Sequence, residues 1–150
     1  MRRKDREQSR EFALEVIDRC EYGVAAFQGE EPYCLPLSLV RVGEELYFHC
    51  ALEGKKLDRL RADSRVCVSF VGANQAAKDA FTTYYQCALV MGTASEVTQD
   101  EEKIAALRAL CEKLTPENMA DFDAAIAQSL PRTSIWKIHM DQVTGKGKAR

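Results

Sequence analysis

Apolar residues near the N-terminus recur at the spacing of a helix. Phe12, Ala13, Val16, Ile17 and Cys20 fall on one face of a helix of about three turns. A helix of this kind buries its apolar stripe against another apolar surface. The pattern therefore predicts an N-terminal helix that packs on a sheet.

Three short runs of strand-forming residues follow this helix, over residues 22–27, 33–40 and 46–51. Polar segments rich in turn-forming residues separate them, at 28–32 and 41–45. Such separators are typical of hairpin turns. The sequence therefore predicts antiparallel strands joined by short connections.

The third strand leads directly into Gly54, Lys55 and Lys56, and a short amphipathic segment follows over residues 57–62. A glycine permits a tight turn, and free backbone N–H groups at the start of a helix, together with lysines, can hold a phosphate group. The same tripeptide is also common in solvated turns. Local sequence alone leaves both interpretations open.

The second half of the chain begins with a strand over residues 66–71, and the polar stretch 72–83 is interpreted as a lid or crossover loop. Another strand is predicted over residues 84–96, where Gly92 marks a bulge or a close backbone approach.

Two helices and a closing strand complete the chain. Thr98 and Glu101 have the spacing of a capping box before a helix over residues 103–114. Pro116 is placed to begin a further helix that reaches about residue 128, and residues 134–140 form the last strand. The order of elements predicts a mainly β fold with flanking helices, a small barrel that occupies residues 1–150 as one domain.

Composition narrows the class of protein. The chain has 150 residues, 46% of them apolar and 29% charged, which is typical of a globular domain with a real core. A net charge of −2 without a basic stripe argues against a nucleic-acid partner. The basic ends, residues 2–4 and 146–150, are interpreted as solvated tails, and no apolar run is long enough to span a membrane.

The six cysteines are widely spaced and lie mostly in apolar segments, so we expect reduced, mostly buried thiols. The charged N-terminus lacks the apolar region of a signal peptide, which favours a cytoplasmic location. There is no Cys-x-x-Cys motif, and His49 and His139 are far apart, so a structural zinc site is not expected. The cysteines are Cys20, Cys34, Cys50, Cys67, Cys87 and Cys111.

Motifs that would indicate other chemistry are missing. The sequence has no Gly-x-Gly-x-x-Gly, Walker loop, Gly-x-Ser-x-Gly or His-Glu-x-x-His motif. Its acidic clusters fall where solvated turns or helix starts are expected. A cofactor would therefore have to carry any redox chemistry, while the protein binds and orients it.

Several segments together resemble the flavin-binding split-barrel proteins related to pyridoxamine 5'-phosphate oxidase, especially the nitroimidazole-resistance branch. The likeness spans nearly the whole chain. It rests on the opening Met1-Arg2-Arg3-Lys4-Asp5, on Pro36-Leu37-Ser38, on residues 47–58 and 62–67, and on Trp136-Lys137-Ile138 with Val143-Thr144-Gly145-Lys146. The resemblance implies a split β-barrel and a homodimer that binds FMN in the groove between its subunits.

The resemblance also implies roles for individual residues. One group would supply backbone hydrogen bonds along the flavin edge, a second would lie beside the flavin and its ribityl chain, and a third would bind the phosphate. A position on a later strand would approach the cofactor, and one aromatic side chain would pack near the flavin from the partner subunit. These sets are, in order, Pro36, Leu37 and Ser38; His49, Cys50 and Ala51; Lys56 with Lys55; Gln86 and Cys87; and Trp136.

The sequence departs from this pattern in three places. Cys50 and Cys87 stand where related chains often have serine or glycine, which weakens the expected side-chain hydrogen bonds to flavin. The stretch 72–83 matches little of the family pattern. The arginine-rich pocket that would hold a vitamin B6 phosphate is not recognisable, so oxidation of vitamin B6 is not the favoured activity.

The favoured function is an FMN-dependent oxidoreductase that passes electrons from a reduced nicotinamide or other donor to a small organic acceptor, with a nitro-aromatic compound as one candidate. His49 would be the catalytic residue, donating a hydrogen bond or a proton to the substrate. A lone histidine in this setting is otherwise a core or edge residue, and Trp136 is by default a core or interface residue. The alternatives are a noncatalytic flavin- or haem-binding protein, with His49 as an axial ligand of haem, and a barrel without cofactor that serves as an interaction domain.

Overall fold

The computed structural model describes residues 2–149. Met1, which opens the first motif of the family resemblance, and Arg150, which ends the segment predicted as a basic tail, lie outside the described residues. Within this range, eight strands and four α-helices follow one another. They are β1 (Glu7–Gln8), α1 (Arg10–Arg19), β2 (Tyr22–Phe27), β3 (Tyr33–Ser38), β4 (Val40–Val42), β5 (Glu45–Cys50), α2 (Lys55–Ala62), β6 (Arg65–Ala76), β7 (Thr83–Glu96), α3 (Asp100–Leu114), α4 (Phe122–Ser129) and β8 (Ser134–Lys148).

All strand pairs of the sheet are antiparallel, in the order β3-β2-β6-β7-β8-β5-β4, with β1 added to β8. The sheet curls, so β3 and β5 contact each other although they are far apart in that order. The predicted fold class is therefore confirmed as a split β-barrel with flanking helices.

The helix α1 lies against the inner face of the curled sheet. Ser9 caps it by accepting a hydrogen bond from the Phe12 N–H at 3.1 Å, and Ala13, Val16 and Ile17 are buried against the barrel core. A second apolar cluster lies beneath α3 and α4, on the other side of β5 and β8. The predicted packing of the N-terminal helix on the sheet is confirmed.

The predicted strands at residues 22–27, 33–40 and 46–51 are found, with differences at their ends. The strand predicted over 33–40 breaks at Leu39 into β3 and β4, and Arg41 and Val42 belong to β4 instead of a turn. Val42 pairs with Glu45 across a two-residue connection in which Gly43 has a φ of 61°. The turn is shorter than predicted because this glycine accepts a left-handed backbone.

The interpretation of residues 72–83 as a lid or crossover loop is wrong. β6 and β7 continue through this stretch as a two-stranded arm, with partners as far out as Ala76 and Thr83. The Ala77 N–H donates to the Thr82 carbonyl at 2.9 Å and closes the tip. The stretch is polar because the outer part of the arm is exposed on both faces, so no apolar alternation marks it as a strand.

Two predicted helix starts also need correction. Gln99, and not Thr98, is the N-cap residue of α3, no side chain caps this helix, and the helix begins at Asp100. The three acidic residues of its first turn complement the helix dipole in place of a capping box. Pro116 begins a 3-10 turn, Pro116–Asp121, and the regular helix α4 follows it to Ser129.

The C-terminal basic end is not a solvated tail within the described residues, whereas the N-terminal basic residues 2–4 are exposed, as predicted. Strand β8 runs to Lys148, where it pairs with β7, and β1 pairs Glu7 with Lys146. Phe12 packs against this part of β8, and a Cβ placed on Gly145 or Gly147 would come within 3.2 Å of its ring. The two glycines thus let α1 approach the strand closely.

Gly92 marks both features that were predicted for it. The register of β7 and β8 shifts between Met91 and Gly92, and a Cβ on Gly92 would lie 2.5 Å from the His139 carbonyl oxygen. All six cysteines are free thiols, as predicted, but none is fully buried, and Cys34 is exposed. Within residues 2–149, no helix has the length and apolar character needed to cross a membrane.

Candidate functional site

The start of α2 presents backbone N–H groups and a free cation. Gly54 precedes the helix with a φ of 138°, which favours glycine, and no side chain caps the helix. The N–H groups of Leu57 and Asp58 both reach the Gly54 carbonyl, at 2.9 and 3.1 Å. The N–H groups of Lys55 and Lys56 are therefore left for another acceptor.

The two lysines at this position have different surroundings. The Lys56 ammonium lies 5.4 Å from the centroid of the Phe48 ring, and no carboxylate of the described part of the chain lies within 4.0 Å of it. The Lys55 ammonium lies 4.9 Å from the Tyr33 ring centroid and 3.9 Å from a Glu31 carboxylate oxygen. Lys56 is thus the better placed of the two to bind an external anion.

His49 and Cys50 end strand β5 beside Lys56. His49 is exposed on the side of β5 that faces away from the barrel core. Partial burial lowers the pKa of His49, and the positive charge of Lys56 lowers it further. Burial raises the pKa of the Cys50 thiol, which Lys56 only partly opposes. A neutral imidazole and a neutral thiol therefore lie next to a cation, and exposed Ala51 continues this surface.

This arrangement fits a phosphate group. A dianion at the start of α2 would meet unpaired N–H groups, an uncompensated ammonium and a neutral histidine that can donate one ring N–H. Gly54 has no atom within 4 Å of the position where a Cβ would lie, so the approach to the helix start is open. The start of α2 therefore has the donors and the open approach that a phosphate group requires.

The predicted flavin-edge residues lie on β3, an edge strand of the sheet. Pro36 and Ser38 are exposed, whereas the Leu37 side chain is only 5% exposed. An edge strand has one row of backbone groups without partners in the sheet. The position of β3 is consistent with backbone hydrogen bonds to a ligand, which stay a prediction.

Gln86 and Cys87 occupy opposite faces of β7. Cys87 pairs with Val71 on the outside of the sheet, whereas Gln86 contacts the region of Gly72 and α1 on the inside. Gln86 and Cys87 lie near the start of β2. The helix α2 lies near the end of β2, where Arg59 donates to the Gln28 carbonyl and Lys55 contacts Tyr33. Within one subunit, Gln86 and Lys56 therefore lie toward opposite ends of the six-residue strand β2.

Trp136 is a core residue in the subunit. Its side chain is 4% exposed and pairs across the strands with Phe48. The indole N–H donates to the Ser134 hydroxyl at 3.1 Å, which in turn donates to Glu96 at 2.9 Å. The default interpretation as a core residue accounts for these contacts, and its contact with flavin stays a prediction.

An exposed apolar surface runs across β2, β6 and β7 on the outside of the sheet. We call it the outer sheet face, and sequence reasoning missed it. A signal was present, because the strands around Val24 and Val68 are apolar on both faces, which is typical of strands covered on both sides. Its large side chains are Tyr22, Val24, Val71, Leu89 and Met91, with exposed fractions from 37% to 61%.

The site has no set of residues suited to a metal ion. Among residues 2–149, no group of three or more histidine, cysteine, aspartate or glutamate side chains is clustered in a way that could hold one.

Comparison with solved structures shows the same fold in flavin- and haem-related proteins. The FAD and heme binding protein from Mycobacterium smegmatis aligns with a TM-score of 0.84 and 23% identity, over 97% of this chain and 74% of that one. An FAD-binding protein from Mesorhizobium loti aligns with a TM-score of 0.71 and 20% identity, over 96% and 98%. No curated protein sequence gives a match.

A third structure, from Bacteroides thetaiotaomicron, was named for a proposed role in 5-nitroimidazole antibiotic resistance. It aligns with a TM-score of 0.76 and 20% identity, over 93% of this chain and 84% of that one. The sequence profile of the pyridoxamine 5'-phosphate oxidase family matches residues 9–147. This match includes α2, both sides of the barrel and the last strand, so the chain belongs to the pyridoxamine 5'-phosphate oxidase family.

Proposed function

We propose that this protein is a homodimeric FMN-dependent oxidoreductase of a reducing cytoplasm, which passes electrons from a reduced nicotinamide to a small organic acceptor such as a nitro-aromatic compound. The observation that carries the proposal is the uncompensated Lys56 ammonium at the uncapped start of α2. The flavin- and haem-binding relatives of the same fold support a planar cofactor.

The phosphate of FMN would be held by Lys56 and by the first N–H groups of α2. An ammonium and backbone N–H groups form charge-assisted hydrogen bonds with a phosphate dianion, and these are the strong ones. Lys55 would add long-range charge only, because Tyr33 and Glu31 already surround it. Pro36 to Ser38 would border the ring through the free backbone edge of β3.

Two properties of the subunit support the proposed dimer. The outer sheet face exposes apolar side chains on three adjacent strands, and such patches on a protein surface usually mark an interaction site. Gln86 and Lys56 lie at opposite ends of β2, so both would approach one cofactor most simply if a two-fold axis brings Gln86 of the partner subunit to Lys56. We propose that the outer sheet face forms this isologous interface.

Bound FMN would supply hydride and single-electron chemistry. The His49 imidazole stays neutral near pH 7 because its pKa is lowered. It would therefore orient the acceptor through a ring N–H hydrogen bond, and it would not store a proton in the resting protein. The Cys50 thiol, whose pKa is raised, would stay protonated and would not act as a nucleophile.

The absorbance spectrum of the purified protein, with identification of the chromophore released on denaturation, tests the cofactor. Flavin bands and released FMN are the expected result, followed by multiple turnovers of NADPH or NADH with a nitro-aromatic acceptor. Binding of FMN without turnover would instead favour a flavin carrier. A haem band would favour the second candidate, in which the exposed neutral imidazole of His49 is an axial ligand.

A further inference from the structure

The turn between β2 and β3, residues 28–32, lies against the helix α2. The Arg59 guanidinium donates to the Gln28 carbonyl at 3.4 Å and covers the backbone of the next residue, Gly29. A Cβ placed on Gly29 would overlap the end of the Arg59 side chain and would lie 2.9 Å from its Nε. The guanidinium therefore occupies space that only a glycine leaves free.

Gly29 differs in this respect from the two other glycines with a positive φ among residues 2–149. Gly29 has a φ of 149°, and Gly43 and Gly54 have φ values of 61° and 138°. All three conformations favour glycine. At Gly43 and Gly54, however, nothing lies within 4 Å of the Cβ position. Gly29 is thus required twice, by its own backbone and by the side chain that packs on it.

A second contact ties the first turn of α2 to the same hairpin. Lys55 precedes Arg59 by four residues, so both side chains lie on one face of the helix. The Lys55 ammonium lies 4.9 Å from the ring centroid of Tyr33, the residue that follows the turn. Leu57 and Leu60, on the other face, are buried in the barrel core. The helix α2 is therefore held between the core and the β2–β3 hairpin.

The orientation of α2 determines where its phosphate-binding groups point. The N–H groups of Lys55 and Lys56 are part of the helix backbone, and hydrogen bonds weaken steeply when a donor is misaligned. The contact of the Lys56 ammonium with the Phe48 ring does not fix this backbone. A tilt or a shift of α2 would therefore carry both N–H groups and the Lys56 side chain away from a bound phosphate.

We propose that Gly29 and Arg59 form a clamp that positions the start of α2 for phosphate binding. Arg59 is a positioning residue, because its guanidinium is engaged by the turn and acts through the helix that carries Lys56. The clamp rests on the proposed binding of the FMN phosphate at Lys56. It adds the β2–β3 turn, which contacts no phosphate itself, to the parts of the chain that determine flavin affinity.

Fluorescence titration of the apoprotein with FMN tests the clamp in Gly29→Ala and Arg59→Ala. We expect each variant to weaken binding on the order of tenfold, because a misaligned phosphate loses part of a hydrogen bond from a charged donor. Gly29→Ala leaves every charge in place, so its loss reports position alone. Gly43→Ala is the matched control, since it strains a turn in which nothing meets the new Cβ, and it should bind FMN as the wild type does.

Two further variants separate the contact from charge and from strain. Arg61→Ala removes the same charge from an exposed position two residues along α2, and it should change FMN affinity by severalfold at most. Gly29→Ala/Arg59→Ala should bind about as well as Arg59→Ala, because the new Cβ no longer meets a guanidinium. Thermal unfolding shows which variants are folded. If Gly29→Ala does not fold, Arg59→Ala still decides, since it introduces no backbone strain.

The pKa of His49 gives a readout that needs no flavin. The charge of Lys56 lowers this pKa, so NMR titration of the apoprotein reports the position of Lys56. As Lys56 withdraws with the displaced helix, the pKa of His49 should rise toward 6.5 in Gly29→Ala and in Arg59→Ala. Gly43→Ala should leave it unchanged.

Two results would overturn the clamp. One is wild-type FMN affinity in both Gly29→Ala and Arg59→Ala, together with an unchanged pKa of His49. The other is a loss in Arg61→Ala equal to that in Arg59→Ala, which would reduce the effect to general charge attraction. A wild-type protein that binds no FMN would instead refute the proposed function, and the His49 titration would then still decide whether the clamp positions Lys56.

Discussion

The ammonium of Lys56 lies 5.4 Å above the ring of Phe48, a core residue of the barrel that is 1% exposed. This contact directs the lysine toward the end of β5, where His49 and Cys50 are found. Lys55, one residue earlier, turns instead to Tyr33 and Glu31. Two adjacent lysines of identical chemistry therefore differ in whether their charge is available to a ligand.

Lys56→Gln should weaken FMN binding by about 10- to 100-fold, because it removes a hydrogen bond from a charged donor to phosphate that contributes about 1.5–3 kcal/mol. Fluorescence titration of flavin into the apoprotein measures the change. The free energy of unfolding without flavin should change little, since the ammonium makes no ion pair with the described residues.

Lys55→Gln is the matched control, because it removes the same charge one residue away. We expect a loss of severalfold at most, since exposed charges near Glu31 contribute little. If the two variants lose affinity equally, Lys56 is not the specific phosphate ligand.

Val24→Asp should convert the proposed dimer to a monomer. Val24 lies in the middle of the outer sheet face, opposite Pro36 and Ser69, and a charge buried there in an interface would have no partner. Sedimentation velocity measures the mass. Because the groove would be completed by both subunits, the monomeric variant should also lose FMN.

Val42→Asp provides the comparison. Val42 is likewise an exposed strand valine, 51% exposed against 38% for Val24, but it lies on β4 at the opposite edge of the sheet. This variant should keep the mass and flavin affinity of the wild type. A wild-type protein that is already a monomer would refute the interface.

The order and type of the elements were predictable because helical spacing and turn residues mark them locally. The faces of the strands were not. In β2 the exposed residues Tyr22 and Val24 are as apolar as the buried ones. The sequence therefore does not show which side chains of this strand face the core and which face outward. Gln86 and Cys87 could be assigned to one strand but not to one face for the same reason.

Pairing between strands that are far apart in the sequence also determines the structure near the C-terminal end of the chain. Lys146 and Lys148 have the composition of a tail, and only their partners on β1 and β7 make them a strand. By contrast, Lys56 and His49 could be predicted as neighbours, because the short turn at Gly54 keeps the end of β5 next to the start of α2.

Gly92→Ala should destabilise the protein by about 1–3 kcal/mol, because its Cβ would lie 2.5 Å from the His139 carbonyl oxygen in a buried part of the sheet. Denaturant unfolding measures the loss. Gly147→Ala should cost less, since the nearest atom there, at 3.1 Å, belongs to the Phe12 side chain, which can move. Equal losses would mean that the β7–β8 bulge has no special packing requirement.

The pKa values of the two histidines should lie on opposite sides of the ordinary histidine pKa of 6.5. Partial burial and Lys56 lower the pKa of His49, whereas the Glu45 carboxylate, 2.8 Å from the His139 ring, raises the pKa of His139. The unfolded chain therefore binds the His49 proton more tightly than the folded one, so this residue reduces stability as pH falls through 6.5. His139 has the opposite sign, since its contribution is fully present below 6.5 and is lost as pH rises through its raised pKa.

NMR titration of the two imidazole rings, assigned with His49→Gln, measures both values directly. Glu45→Gln should return the pKa of His139 toward 6.5 and leave His49 unchanged, because the hydrogen bond to Glu45 is the main cause of the raised value. Lys56→Gln should do the reverse, raising the pKa of His49 alone. If His49 titrates above the pH of the activity assay, the imidazole is cationic in the resting protein, and its proposed role changes from a neutral hydrogen-bond donor to a proton donor.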